Sequence, residues 1–204
     1  MSVLRPILQV MTRAIFYTAT TLNGFLADDQ HSLDWLFQVP GGEGGGDDFQ
    51  RFLAGIGVLV QGSSTYEWVL EHEELLAHPE KWQEFYGERP TWVFSSRDLP
   101  AVPGADIRFA RGEVVDSWDQ IRASAGERDV WIVGGGDLAG QFADAGLLDE
   151  IRVSIAPATL PSGAPLLPRR IGSERLELTD VRRAGAFAEL TYRVMSPDRS
   201  VHVG

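Results

Sequence analysis

Three short apolar runs in this chain end in small or hydroxyl residues and pass straight into a helix or turn. They lead into Gly62-Ser63-Ser64-Thr65, Ser95-Ser96-Arg97 and Gly134-Gly135-Gly136-Asp137-Leu138. In an open α/β sheet, ligands collect beyond the carboxyl ends of the strands. Small residues let the backbone approach a pyrophosphate, and the helix that follows presents unpaired N–H groups with a partial positive charge. Any one of these loops can be ordinary strand punctuation and helix capping. All three in this order read as one dinucleotide site, with Thr20 and Val133, at strand ends, counted with it. The triple glycine is not a Rossmann fingerprint, because GGGDLAG lacks the G-x-G-x-x-G spacing and comes late in the chain. Arg97, beside two serines, is either an anchor for a 2′-phosphate, which selects NADPH over NADH, or a solvated surface arginine.

Acid–base chemistry falls to carboxylates. His31, His72, His78 and His202 have no metal-like spacing, and no metal site is expected. Asp34, Asp47 and Asp48 flank the glycine-rich stretch Gly41–Gly46, and a half-buried carboxylate there could orient a hydride acceptor and relay a proton. Asp34 and Asp48 are the catalytic candidates, in competition with a plain helix-capping role. Without cysteine there is no thiolate chemistry, no disulfide and no Cys-based zinc site. No Ser-His-Asp order with a nucleophile elbow is present.

The elements that must position these residues follow from periodicity. Ala14–Thr20 predicts the first strand, Asn23-Gly24 a turn, Phe25–Ala27 a short apolar stretch, and Ser32–Phe37 one or two helical turns capped by Ser32. Asp47–Ile56 predicts a helix, Gly57–Gln61 a buried strand, and Ser63 onward another helix. Further helices are expected over Pro79–Tyr86 and Ser117–Ala125, and strands over Thr91–Ser95, Ile107–Ala110 and Asp129–Val133. A helix carrying Leu138, Phe142 and Ala145 then stops at Gly146. Glu150–Ile155 alternates as a strand, and Leu176–Val181 with Phe187–Val194 reads as a closing hairpin. Strand–helix alternation followed by consecutive strands predicts a single α/β domain: a mostly parallel central sheet, helices on both faces, and an antiparallel C-terminal hairpin.

The 204 residues suit one domain over 13–195, with an N-terminal extension over 1–12 and a disordered tail over 196–204. The apolar segment Val3–Met11 is too short to span a membrane and lacks a signal-cleavage pattern, so a cytoplasmic location is expected. A net charge of −11 argues against nucleic acid or an anionic membrane as partner, leaving a small-molecule substrate. Trp35 is expected in the core, and the aromatic stretch Trp82–Tyr86 is open to reading as an exposed interaction patch.

Thr21–Ala27, Val58–Glu67, Val93–Arg97, Val130–Gly136 and Ile155-Ala156-Pro157 together resemble the dihydrofolate reductase-like superfamily. Within it the chain is similar to the C-terminal reductase domain of the bifunctional riboflavin-biosynthesis deaminase/reductase, as a stand-alone bacterial member. The resemblance spans roughly residues 13–195 and implies NADPH binding. Asn23-Gly24 would border nicotinamide and substrate, Gly62–Thr65 the pyrophosphate, Ser95–Arg97 the 2′-phosphate, and Gly134–Leu138 the pyrophosphate and nicotinamide. Three departures stand out: Asn23 replaces an Asp, Ser63-Ser64 replace a basic residue, and Thr159–Gly163 is poor in glycine. The implied activity is hydride transfer to a small heterocycle, such as 5-amino-6-(5-phosphoribosylamino)uracil or a dihydrofolate-like pterin, by a homodimer; the alternative is a non-catalytic dinucleotide-binding protein.

Overall fold

The computed structural model describes residues 12–42 and 46–196. The expected N-terminal extension and C-terminal tail lie almost wholly outside these residues. Ten strands and six α-helices follow in order: β1 Ala14–Thr21, β2 Phe25–Ala27, α1 Asp34–Phe37, α2 Asp47–Ala54, β3 Ile56–Gly62 and α3 Ser63–His72. Next come α4 Glu80–Tyr86, β4 Thr91–Phe94, β5 Ile107–Ala110, α5 Val114–Ala125, β6 Asp129–Gly134 and α6 Gly136–Asp144. The chain closes with β7 Glu150–Ala156, β8 Ala164–Pro165, β9 Leu176–Ala184 and β10 Phe187–Val194.

One eight-stranded sheet runs in the order β5-β4-β3-β6-β1-β7-β10-β9. Pairs from β5 to β7 are parallel, and β10 is antiparallel to both β7 and β9. β3 and β6 read as near-continuous apolar runs because both of their faces are covered. Val58, Val60, Val130 and Ile132 face α5 and α6, where Ile121 and Phe142 are fully buried. Leu59, Trp131 and Ile15 face α2 through Phe52 and Leu53. Burying a side chain such as Phe142 contributes roughly 1.5–3 kcal/mol. At Gly57 a Cβ would stand 2.2 Å from the Ala125 carbonyl, so only glycine lets α5 lie this close to β3.

The helices do not reach β9, which is exposed along nearly its whole length. The hairpin's charges pair across strands, as in Arg193–Glu177 and Arg182–Glu189. Trp82 is 1% exposed and packs on Tyr66 and Tyr86, so these two aromatics belong to the core rather than to an exposed patch; Gln83, Glu84 and Phe85 face outward. Trp82 and Tyr86 stand one turn apart, on the side of α4 that faces inward. Trp35 is buried as expected, with its indole N–H donated to the Leu26 carbonyl at 3.2 Å. No helix among the described residues is long and apolar enough to cross a membrane.

Candidate active site

The parallel order places β3, β6 and β1 side by side, so the segments leaving their carboxyl ends meet at one rim. α3 and α6 both begin there. Their N-caps are Gly62 and Gly135, extended residues that leave the first N–H groups without a side-chain cap. Thr65 joins the two helix starts: a Cβ on Gly134 would stand 3.0 Å from its Oγ1, and one on Gly135 4.0 Å. The Gly134–Gly135 peptide is cis. A Cβ on Gly62 would stand 3.6 Å from the Gly134 carbonyl. These glycines leave a shallow cradle of backbone beside two helix N-termini, which fits a pyrophosphate. Gly136 has a different purpose. Its Cβ would stand 2.3 Å from the Leu166 carbonyl, so this glycine permits close packing of α6 on the loop after β8.

Ser63, Ser95 and Ser96 line a neighbouring cavity of about 390 Å³, with Gln141 of α6 on its far side. Thr65, Ser96 and Gly135 therefore belong to adjoining parts of one rim. The cation lining this cavity is Arg111, directly after β5, where it pairs with the exposed Asp98 at 2.5 Å. Arg97 is elsewhere: its guanidinium makes a two-pronged ion pair with Glu67, at 2.8 and 2.5 Å. Sequence reasoning missed Arg111 because the loop Ala110-Arg111-Gly112 carries no hydroxyl or glycine run. Ser95 closes a tight turn on Arg97, whose N–H it accepts at 2.9 Å. Ser64 is exposed and lines neither this cavity nor the larger one.

Several other expected site residues are occupied in holding the fold. Thr20 is buried and donates to the Phe25 carbonyl at 3.1 Å. The Asn23 side chain donates to the Leu160 carbonyl at 2.6 Å and accepts the Leu160 N–H at 3.2 Å, clamping the loop after β7. Gly24 takes φ +84° in the turn that aims this clamp. The Asp137 carboxyl is held below its usual range, first by Gln141 and then by Arg169. Leu138 is core.

A larger cavity, about 710 Å³, opens between β1, α2, β6 and the β9–β10 turn. Phe49 and Trp131 meet edge-on at 5.5 Å on its wall, and Ala19, Val133 and Phe187 extend the apolar lining. Asp48 lines it, with its carboxylate paired to Arg51 and Arg182. Asp47 also lines it, from the exposed first turn of α2. Asp34 is exposed in the first turn of α1 and is not part of this lining. Val133 borders the large cavity and Gly134 begins the cradle, so consecutive residues of β6 join the two.

Sequence reasoning also missed Tyr17, Ser154 and Glu189. The strand register sets Ala19, Ser154 and Glu189 in one row across β1, β7 and β10, with Arg182 next on β9. Ser154 Oγ lies 3.3 Å from Glu189 Oε1, and Arg182 pairs with Oε2 at 2.5 Å. Burial, reinforced by Glu189, pushes the Tyr17 hydroxyl above its ordinary pKa, with Ser154, Arg182 and Arg152 opposing. No group of His, Asp and Glu among the described residues could hold a metal ion.

The RibD C-terminal domain family matches residues 76–187, and the chain belongs to that family. It is 25% identical to the uncharacterized Bacillus subtilis protein YwjB over 88% of this chain and 97% of that one. The Haemophilus influenzae riboflavin biosynthesis protein RibD is 28% identical over 53% of this chain and 32% of its own length. Among solved structures, a "Putative riboflavin biosynthesis protein" from Shewanella sp. PV-4 superposes with a TM-score of 0.73 at 24% identity, covering 90% of this chain and 99% of that one. Acinetobacter baumannii RibD superposes with a TM-score of 0.63 at 16% identity, covering 92% of this chain and 59% of that one. The fold is dihydrofolate reductase-like, and the chain is a relative of the RibD reductases.

Proposed function

We propose that this protein is an NADPH-dependent reductase of a small heterocyclic substrate. The observation that carries the reading is the backbone cradle at Gly62, Thr65, Gly134 and Gly135, which opens between two uncapped helix N-termini beside an aromatic cavity. Gly62, Thr65, Gly134 and Gly135 would hold the pyrophosphate. Ser63, Ser95 and Ser96 would hold the adenosine end, and Arg111, which lines that cavity and exchanges its exposed partner Asp98 for the ligand, would be the 2′-phosphate cation in place of Arg97, which lies outside the lining. Bound NADPH supplies the hydride; the protein supplies position and charge. Phe49, Trp131 and Val133 exclude water from the acceptor, and Asp48 orients it. The pairing of Asp48 with two guanidiniums suits a fixed hydrogen-bond acceptor, and the exposed Asp34 has no part in this reading.

The family also implies a homodimer. The free edge of β9, with Leu178 and Val181 exposed, is its candidate surface, and light scattering tests it.

The cofactor reading is tested by titration with NADPH and NADH. Arg111→Ala is expected to weaken NADPH about tenfold, equivalent to roughly 1.4 kcal/mol, and to leave NADH unchanged. An unchanged NADPH preference in Arg111→Ala, or its loss in Arg97→Ala instead, rejects the assignment. Oxidation followed at 340 nm with candidate heterocycles separates an enzyme from a binder without turnover.

A further inference from the structure

The larger cavity carries more information than its shape. Its own lining holds Asp47, Asp48 and Glu189 against a single cation, Arg51. Arg51 is already paired with Asp48, and the nearby Arg182 is shared between Asp48 and Glu189. An adjoining cavity of about 450 Å³ shares Asp48, Arg51 and Glu189, and its arginines are matched in the same way, Arg13 by Asp129 and Glu150, Arg152 by Glu150. A phosphate dianion entering here would have to displace a carboxylate from its guanidinium. It would then leave that carboxylate half-buried and unpaired, the costly outcome for such groups.

Glu189 is the acidic group best placed to meet a ligand. Its side chain is 16% exposed, against 38% for Asp48. Both Asp48 oxygens are engaged by guanidinium groups, whereas Glu189 Oε1 has only the Ser154 hydroxyl at 3.3 Å. The Tyr17 ring completes this corner, and it stands edge-on to Phe52 at 4.9 Å. An anionic oxygen with spare lone pairs, set beside aromatic faces, is complementary to N–H donors on the edge of a flat ring.

We infer that Glu189, supported by Ser154, is a specificity-determining residue that selects a planar substrate with an N–H-donating edge and no phosphate group. The inference rests on the reading of this cavity as the substrate side of the site. It favours a phosphate-free heterocycle over a phosphoribosyl-bearing one.

Small probes of one size test it: benzamidine, a planar ring with an N–H-donating cation; benzamide, its neutral analogue; and phenyl phosphate. Binding to the full chain is followed by NMR titration, with and without saturating NADPH. The expected order is benzamidine tighter than benzamide, with phenyl phosphate weakest. Glu189→Gln is expected to weaken benzamidine at least tenfold and benzamide only a few-fold. Ser154→Ala, a milder change at the same carboxylate, is expected to weaken benzamidine two- to threefold. It keeps the test open if Glu189→Gln loses its fold. Phenyl phosphate binding in this cavity as tightly as benzamide, or benzamidine indifferent to both substitutions, overturns the inference. The NADPH titrations above are read separately, so failure of the cofactor reading appears there and not in the probe order.

Discussion

The two halves of the site are built from different materials. The rim proposed for the cofactor is made of backbone, glycine and hydroxyls at the ends of β3, β4 and β6, strands buried on both faces. The cavity proposed for the substrate is lined by side chains of α2 and of β1, β6, β7 and β10, the last of which has the solvent-facing β9 as its outer neighbour. The contrast teaches that recognition of a constant group needs close approach, whereas recognition of a variable one needs side-chain chemistry. A pyrophosphate can be held by N–H groups that any sequence possesses, provided nothing stands in the way. A particular heterocycle needs particular donors and acceptors.

The sharpest way to break this contrast is to put a side chain into the rim. Gly135→Val is expected to lower NADPH affinity a hundredfold or more, a loss of roughly 2.8 kcal/mol, with melting temperature nearly unchanged. The expectation follows because nothing but Thr65 Oγ1, at 4.0 Å, approaches a Cβ there. Titration and calorimetry on the same sample check both halves, and an unfolded variant or an unaffected affinity refutes it. One residue on, the outcome should reverse. Gly136→Ala meets the Leu166 and Pro165 carbonyls at 2.3 and 2.4 Å, and overpacking of this kind costs about 1–3 kcal/mol. Its urea midpoint should fall while any remaining folded protein still binds NADPH.

A smaller effect lies outside both halves, where Asp149 meets the start of β1. Burial raises the Asp149 carboxyl pKa, although the Ala14 N–H, donated at 2.8 Å, and Arg13 oppose the shift. A carboxyl whose folded pKa is raised favours the fold most below its unfolded pKa, and that contribution is lost as pH rises through the folded value. Asp149→Asn keeps the acceptor and removes the charge. It should therefore stabilise the protein at pH 7 by under about 1 kcal/mol, since the group is partly screened by solvent. The gain should vanish as pH falls toward 4. Urea midpoints at the two pH values decide it, and a gain larger at the lower pH contradicts it.

How much of this was readable beforehand follows the same division. The helix over Asp47–Ala54 and the strand over Asp129–Gly134 carry period-3.6 and continuous apolar patterns, and they formed where those patterns fall, within a residue or two. The rim was readable because glycine and serine at strand ends are local signals. Arg97 and Arg111 show the limit. Both follow a strand by a residue or more, and only the fold decides that one turns to Glu67 and the other to the cavity. Tyr17, Ser154 and Glu189 gave no signal at all, because their distances along the chain say nothing about strand order.

By itself, then, the amino-acid order determined the elements, their alternation, the parallel character of the sheet and the backbone nature of one half of the site. Tertiary structure alone decided which side chains meet across β1, β7, β10 and β9, and hence the charge balance of the substrate cavity. The reason is physical. Local periodicity is written in neighbouring residues, whereas cross-strand register arises from long-range packing and becomes definite only when the sheet closes.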